Sequence, residues 1–272
     1  GSVPSYASPP PFDASAGFST AQQGAFLAAV AAIVRQEDPD AVILLPGLSG
    51  PDGWSRDWLQ GVIAAAGTDW FDIVNYHDYG PWNDLLARHT DFVAWLGSVG
   101  LGAKPIWLTE TGCSSDPSLS LRTDYPNSPE QQAADVFRRP LLAWGAGVPY
   151  VGWHTWIGGT NGSDPWRFYG LRLDDAARTP QPSLYSMQLL VSELLPFERV
   201  VRETADSSPL HRYRIERRDG SVRWVVWGSG TDTVPAGATA MTGVYSADGS
   251  FSWTAVSPGS PITATDVPVL LR

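Results

Sequence analysis

Several features that would point to other classes of protein are scarce or absent in this 272-residue sequence. One cysteine, Cys113, excludes a disulfide framework and a cysteine-rich metal site. The four histidines lack metal-ligand spacing such as HExxH, and no apolar run approaches the roughly 18 residues of a membrane span. Because 18 Lys and Arg face 28 Asp and Glu, we expect neither a nucleic-acid partner nor binding to an anionic membrane.

Aromatic residues, by contrast, are abundant: the chain has 13 Trp, 9 Tyr and 9 Phe. A Trp ring must be packed or stacked, and its N–H needs a partner. Beside 27 Gly and 23 Pro, this composition favours a loop-rich protein that stacks flat rings such as sugars, although some of the Trp residues will simply pack a core. With 43% hydrophobic residues, a disordered chain is excluded.

Apolar runs of strand length alternate with helix-forming segments over the first 195 residues. The predicted strands cover 41–45, 71–76, 105–109 and 150–153, and the predicted helices cover about 20–36, 55–65, 85–99, 128–144 and 183–194. This alternation predicts βα units and a parallel sheet. Because neither GxGxxG nor GxxxxGK[ST] follows a strand, the sequence does not favour a nucleotide-binding α/β fold.

The character of the sequence changes after about residue 196. An Asp-Gly turn predicts a β-hairpin over 212–227, and short strands are predicted around 238–244, 251–255 and 267–271. The sequence therefore predicts two domains. Residues 1–195 form βα units behind a Pro-rich segment, and residues 196–272 form a small all-β sandwich.

Polar and aromatic residues cluster at the carboxyl ends of three predicted strands. They are Asn75, His77 and Tyr79 after the second strand, Glu110 at the end of the third, His154 and Trp156 after the fourth, and Trp166 in the loop beyond. Functional side chains at the carboxyl ends of successive parallel strands are typical of the active site of a (β/α) barrel.

Glu110 is the principal catalytic candidate. A carboxylate at a strand tip among aromatic residues can attack an anomeric carbon and form a glycosyl-enzyme intermediate. His77 or Tyr79 would hold this carboxylate ionised or bind a sugar hydroxyl, and Trp156 would be the floor on which a sugar ring stacks. The alternatives are that Glu110 caps a loop or pairs with an arginine and that His77 is structural.

Taken together and in order, several segments resemble clan A glycoside hydrolases, which are retaining TIM-barrel enzymes. The stretches 38–47, 71–79, 106–112 and 150–156 resemble strands five to eight of that barrel, and 168–185 resembles its closing segment. The β-xylosidase and iduronidase-like branch and the cellulase-like branch are the most similar, and both can carry a C-terminal β-sandwich. The resemblance covers roughly residues 20–195.

The resemblance implies Glu110 as nucleophile, His77 and Tyr79 as residues on the substrate side, and Trp156 as the stacking aromatic. Asn75, His154 and Trp166 complete the candidate substrate-binding set. The chemistry implies a β-linked oligosaccharide or glycoside substrate and requires no metal or organic cofactor. We expect a secreted or extracellular protein, with the cytoplasm as the alternative location.

One part of the family pattern is absent. A retaining glycosidase needs a second carboxyl about 5 to 5.5 Å from the nucleophile, and the family carries it in an Asn-Glu pair after strand four. No Asn-Glu pair occurs in this chain, and nothing in the sequence favours Asp78, Asp116 or Asp124 as a substitute acid. Only four βα units are present, whereas a closed barrel needs eight.

We therefore predict an α/β fold that is the C-terminal portion of a (β/α)8 TIM barrel, strands five to eight, followed by the sandwich. Three interpretations remain open. The chain is the C-terminal part of a retaining glycoside hydrolase whose N-terminal half is a separate chain or was cleaved off, or a half-barrel completed by self-association, or a non-catalytic carbohydrate-binding or scaffolding relic. The first is preferred.

Overall fold

The computed structural model describes residues 19–116, 127–159 and 166–272. Its helices are α1 (Thr20–Glu37), α2 (Gly53–Ala66), α3 (Trp82–Ser98), α4 (Pro129–Gly145) and α5 (Pro182–Leu194). Its strands are β1 (Val74–Asp78), β2 (Ile106–Thr111), β3 (Val151–Trp153), β4 (Phe197–Arg202), β5 (Leu210–Arg217), β6 (Val222–Gly228), β7 (Gly230–Thr233), β8 (Ala240–Gly243), β9 (Thr254–Ala255), β10 (Pro261–Ala264) and β11 (Val269–Leu271). No described helix is both long enough and apolar enough to cross a membrane.

The chain divides into two compact units, and each is described by itself. The described part of the first unit consists of residues 19–79, 84–110 and 148–152, and that of the second contains residues 80–83, the described residues from 111 to 147, and those from 153 to 272. Strands β1, β2 and β3 form one sheet in that order. A helix joins each strand to its neighbour, which is the kind of connection that parallel neighbours require.

Helix α1 begins where the sequence predicts it. The Ser19 side chain accepts a hydrogen bond from the Gln22 amide, and the Gln22 side chain accepts one from the Ser19 amide. This reciprocal capping box satisfies amide groups that have no partner inside the helix. The predicted helices are confirmed to within about three residues at their ends.

The predicted strand over 41–45 is wrong as a regular strand. The segment lies beside β1 without forming a regular ladder and makes two isolated parallel bridges, Leu44 with Ile73 just before β1 and Leu48 with Tyr76 within it. The two bridges are four positions apart on this segment and three positions apart on the other, so this segment has one extra residue between them, as in a β-bulge. Pro46 lies inside the interruption and has no N–H to donate to the ladder.

The second unit contains the C-terminal strands. A six-stranded sheet has the order β4-β5-β6-β11-β8-β9, and β10 pairs with β7. The predicted hairpin is confirmed, since β5 and β6 pair antiparallel around Gly220, whose φ is 81°. Both sheets contribute to one apolar cluster that includes Trp224, Val226 and Ile262. Trp224 therefore serves packing.

These C-terminal strands pack on helices of the same compact unit. The Trp144 ring of α4 lies 4.8 Å from that of Phe197. The Arg138 guanidinium donates to the Asp266 carbonyl at 3.0 Å. These contacts tie the C-terminal strands to α4. The predicted domain boundary at residue 196 and the predicted sandwich stay predictions.

Candidate active site

One side of β1 carries three of the predicted site residues. Asn75 and His77 lie in the strand and Tyr79 directly follows it. Side chains two residues apart in a strand point to the same side, and we call Asn75, His77 and Tyr79 the front face of β1. Asn75 is buried, while His77 and Tyr79 are half-buried.

Glu110, in strand β2, lies against the front face. The Tyr79 hydroxyl donates a hydrogen bond of 2.7 Å to Oε2 of Glu110, and Nδ1 of His77 lies 3.3 Å from the same oxygen. The Glu110 side chain is 38% exposed. Within the described residues no hydrogen bond reaches its other oxygen, Oε1. The structure thus brings His77 and Tyr79 together at the solvent-accessible carboxylate of Glu110.

Asn75 connects the two strands next to this carboxylate. Its side-chain oxygen accepts a short hydrogen bond from the hydroxyl of Thr109, the residue before Glu110. The sequence predicts a substrate-binding role for Asn75, and that role stays a prediction. Thr109 was missed, although its place directly before Glu110 in an apolar strand was a signal for it.

The opposite side of β1, here called the back face, consists of Val74, Tyr76 and Asp78. The Tyr76 hydroxyl lies 3.1 Å from Nδ1 of His89 on α3, and burial lowers the pKa of His89. Asp78 accepts two hydrogen bonds from Arg88, at 2.8 and 2.7 Å. Because Asp78 is buried and paired with Arg88, it is a poor candidate for the missing acid.

The other two acid candidates gain no support. Asp124 lies outside the described residues. Asp116 belongs to a short local turn, where its amide donates to the Ser114 hydroxyl at 3.1 Å. Among the described residues, no three His, Cys, Asp or Glu side chains are grouped as a metal site would require.

The remaining predicted residues lie in the second unit. The His154 and Trp166 rings meet edge to face, with centroids 5.0 Å apart. The Trp156 ring is 56% exposed, and the Arg172 guanidinium lies 5.6 Å from its centroid. The structure therefore brings His154 and Trp166 together and leaves much of Trp156 accessible to a ligand.

A buried arginine that sequence analysis missed connects two segments of the second unit. Nε of Arg139 donates a hydrogen bond of 2.7 Å to Oδ2 of Asp135. Arg139 also donates to the Thr111 hydroxyl at 3.2 Å and to the Gly80 carbonyl at 2.8 Å. In sequence these acceptors directly follow Glu110 and Tyr79. Two adjacent arginines, Arg138 and Arg139, between apolar residues of a predicted helix were the signal that could have found it.

Comparison with known proteins places this arrangement in a family. A family model described as the glycosyl hydrolase catalytic core matches residues 20–170, more than half of the chain. The chain belongs to this family. The matched range contains β1, β2 and β3 together with Glu110. The resemblance to clan A glycoside hydrolases is thereby confirmed.

Solved structures of glycoside hydrolases have a similar fold. A family 39 glycoside hydrolase from Bacteroides cellulosilyticus is 19% identical, with a TM-score of 0.62 over 91% of this chain and 54% of its own. A family 51 α-L-arabinofuranosidase from Bifidobacterium longum is 10% identical, with a TM-score of 0.62 over 93% and 63%. A family 39 β-xylosidase from Caulobacter crescentus is 12% identical, with a TM-score of 0.58 over 93% and 62%.

This glycosyl hydrolase core spans between half and two thirds of the length of those three structures. No curated protein matches it in sequence. The predicted α/β class is confirmed.

Proposed function

We propose that this chain is the nucleophile-bearing part of a retaining glycoside hydrolase that acts on β-linked or equatorially related glycosides. The observation that carries the proposal is the accessible Glu110 carboxylate, with the Tyr79 hydroxyl at 2.7 Å and His77 at 3.3 Å, both on Oε2. Membership of the glycosyl hydrolase core family supports it. In this proposal Oε1 of Glu110 attacks the anomeric carbon and forms a glycosyl ester while the bond from that carbon to the leaving-group oxygen breaks. The acid/base carboxyl protonates the departing oxygen and then takes a proton from the water that hydrolyses the ester.

The candidate site residues have distinct parts in the proposal. Tyr79 donates to the carboxylate and fixes its orientation, and a nucleophile held in the geometry for attack reacts faster than a mobile one. His77 lies beside the same oxygen and binds a substrate hydroxyl. Trp156 supplies a ring face for stacking of a sugar, with His154 and Trp166 beside each other in the same compact unit.

The acid/base carboxyl comes from outside this sequence in the proposal, because no Asn-Glu pair occurs in it. The chain then represents strands five to eight of a barrel with an appended β-sandwich. A second chain, or a second copy, supplies the missing half. The chain spans 54% of the family 39 glycoside hydrolase and 65% of a solved glucosidase from Croceicoccus marinus.

The test separates the nucleophile from the missing acid. A 2,4-dinitrophenyl 2-deoxy-2-fluoroglycoside needs no protonation of its leaving group, and the glycosyl ester that it forms is slow to hydrolyse. We would incubate the full chain with the β-xylosyl, β-glucosyl and α-L-arabinofuranosyl reagents and measure intact mass and the labelled peptide. The matched control is Glu110→Gln, which keeps the shape of the side chain.

We expect one reagent to add a single glycosyl group to Glu110, with no addition to Glu110→Gln. Addition of azide then releases a glycosyl azide, since azide attacks the ester without a general base. A folded protein that binds the sugars but acquires no label from any reagent would contradict the nucleophile role. That result would favour the carbohydrate-binding alternative.

A further inference from the structure

The bulged segment beside β1 makes a contact that sequence analysis did not anticipate. Gly47 lies between the two bridges that join this segment to β1. A β-carbon on Gly47 would lie 2.9 Å from Cε1 of the His77 ring and closer still to Nε2. Real β-carbons essentially never approach another heavy atom within 3.0 Å. The His77 ring therefore occupies the space that any other residue at position 47 would need.

The backbone on both sides of this contact is fixed. The Leu48 amide donates to the Asn75 carbonyl at 3.1 Å, and the His77 amide donates to the Leu48 carbonyl at 2.8 Å. Neither the bulged segment nor β1 can move away without losing these hydrogen bonds. A side chain at position 47 would therefore displace the imidazole of His77 instead. Bulges often redirect a side chain next to an active site.

The other edge of the same ring faces the carboxylate. Nδ1 of His77 lies 3.3 Å from Oε2 of Glu110, so the imidazole is held between Gly47 on one edge and Glu110 on the other. Rotation of the ring away from Gly47 would also change this distance.

We propose that Gly47 is a positioning residue: its missing side chain allows the His77 imidazole to lie against Glu110. Gly47 touches neither the substrate nor the reacting atoms and acts only through the ring of His77. The geometric part of this proposal stands on the first compact unit alone. The consequence for glycosyl transfer rests on the proposed function.

A spectroscopic experiment tests the geometry without requiring turnover. We would record the ring resonances of His77 by nitrogen-15 NMR, assigned with His77→Ala, in the chain with and without Glu110→Gln. We expect loss of the Glu110 charge to shift these resonances clearly in the native background. In the Gly47→Ala background the same change should shift them by less than half as much. Equal shifts in both backgrounds would overturn the proposal.

Stability provides a second, independent test. Gly47→Ala should lower the urea midpoint of the native chain, and it should leave the midpoint unchanged in the His77→Ala background, where the ring that it meets is absent. Gly53→Ala is the matched control, because a β-carbon there has no atom within 4 Å. If Gly47→Ala lowers the midpoint equally in both backgrounds, or prevents folding in both, the new methyl group does not clash with the His77 ring. The proposal is then wrong.

The rate of labelling by the fluoroglycoside reagents measures the consequence for chemistry. A displacement of about 1 Å near a reacting group costs on the order of 100-fold in rate, and we expect Gly47→Ala to slow labelling by at least 10-fold while Gly53→Ala does not. An unchanged rate would overturn the positioning role. If the native chain acquires no label, the proposed function fails, and the NMR and urea results still decide the geometry.

Discussion

Each face of β1 brings together a tyrosine, a histidine and a carboxylate, but the two clusters differ in burial and in the partners of the carboxylate. On the back face, the Tyr76 hydroxyl meets His89, and the Asp78 carboxylate is paired with Arg88. All of these except Arg88 are buried. Each polar group there has a partner on α3, which is the condition for burying a polar or charged group without a large cost.

On the front face, a tyrosine and a histidine again accompany a carboxylate. Tyr79 and His77 converge on one oxygen of Glu110, whose side chain is 38% exposed, whereas that of Asp78 is 2% exposed. The difference teaches that residue type alone does not separate a buried structural cluster from an accessible candidate site. Burial and the choice of partner do, because a carboxylate committed to a guanidinium cannot reach a substrate.

The largest expected effect is on the back face, where we would remove the partner of Asp78. Arg88→Met should destabilise the chain by about 3 kcal/mol, since it leaves a buried carboxylate without its guanidinium. Asp84→Asn is the control, because Asp84 is 61% exposed and lies 3.9 Å from Arg88, and we expect it to cost under about 0.5 kcal/mol. Urea unfolding measures both.

A second background tests whether the buried charge of Asp78 causes the loss of stability in Arg88→Met. In an Asp78→Asn background, Arg88→Met should cost clearly less than in the native chain. An equal cost in both backgrounds would show that packing of the Arg88 stem, and not the buried charge, is responsible.

The second prediction compares the two tyrosines. Tyr79→Phe should slow labelling of Glu110 by about 10- to 100-fold, because the carboxylate loses the donor that fixes its orientation for attack, and should change stability by under about 1 kcal/mol. Tyr76→Phe should leave labelling unchanged and cost about 1 to 2 kcal/mol, because His89 loses a buried hydrogen-bond partner. The reverse assignment of effects would refute the comparison.

The third prediction concerns pH and the back-face histidine. Burial lowers the pKa of His89 from its usual 6.5, so the unfolded chain takes up this proton at a higher pH than the folded one. The resulting stability is present above pH 6.5 and is lost as the pH falls below it. The free energy of unfolding should decrease from pH 7 to pH 5.

His89→Gln should make that decrease smaller. His211 contributes with the same sign, because burial and the charges of Arg202 and Arg138 lower its pKa to about 4, and His211→Gln gives its share separately. A pH dependence identical in the native chain and in His89→Gln would contradict the assignment.

The smallest effect is expected where the front face joins β2. Thr109→Val keeps the side-chain shape and removes the hydroxyl that donates to Asn75, at a cost of about 1 kcal/mol. Thr68→Val is the control, since its hydroxyl makes only a long, exposed contact with Asp69. Urea midpoints that do not differ between the two variants would show that the Asn75–Thr109 bond contributes nothing measurable.

Much of the fold was predictable because its signals are local. The capping residues Ser19 and Ser128 and the Asp-Gly turn before β6 each act within a few residues, and the helices and the hairpin were predicted from them. The short strands β4, β7 and β10 were not predicted. Their residues become strands only by pairing with partners elsewhere in the chain, which no local pattern reveals.

The sequence by itself determined the alternation of strands and helices and placed Glu110, His77 and Tyr79 at strand ends. It could do so because the pattern of apolar and polar residues that marks a strand or a helix lies within a short stretch of the chain. Only the tertiary structure decided which carboxylate is paired and which is accessible. That outcome depends on groups from other elements, Arg88 on α3 for Asp78 and the front face of β1 for Glu110. The same holds for Gly47, whose lack of a side chain matters only because the ring of His77, thirty residues later, lies against it.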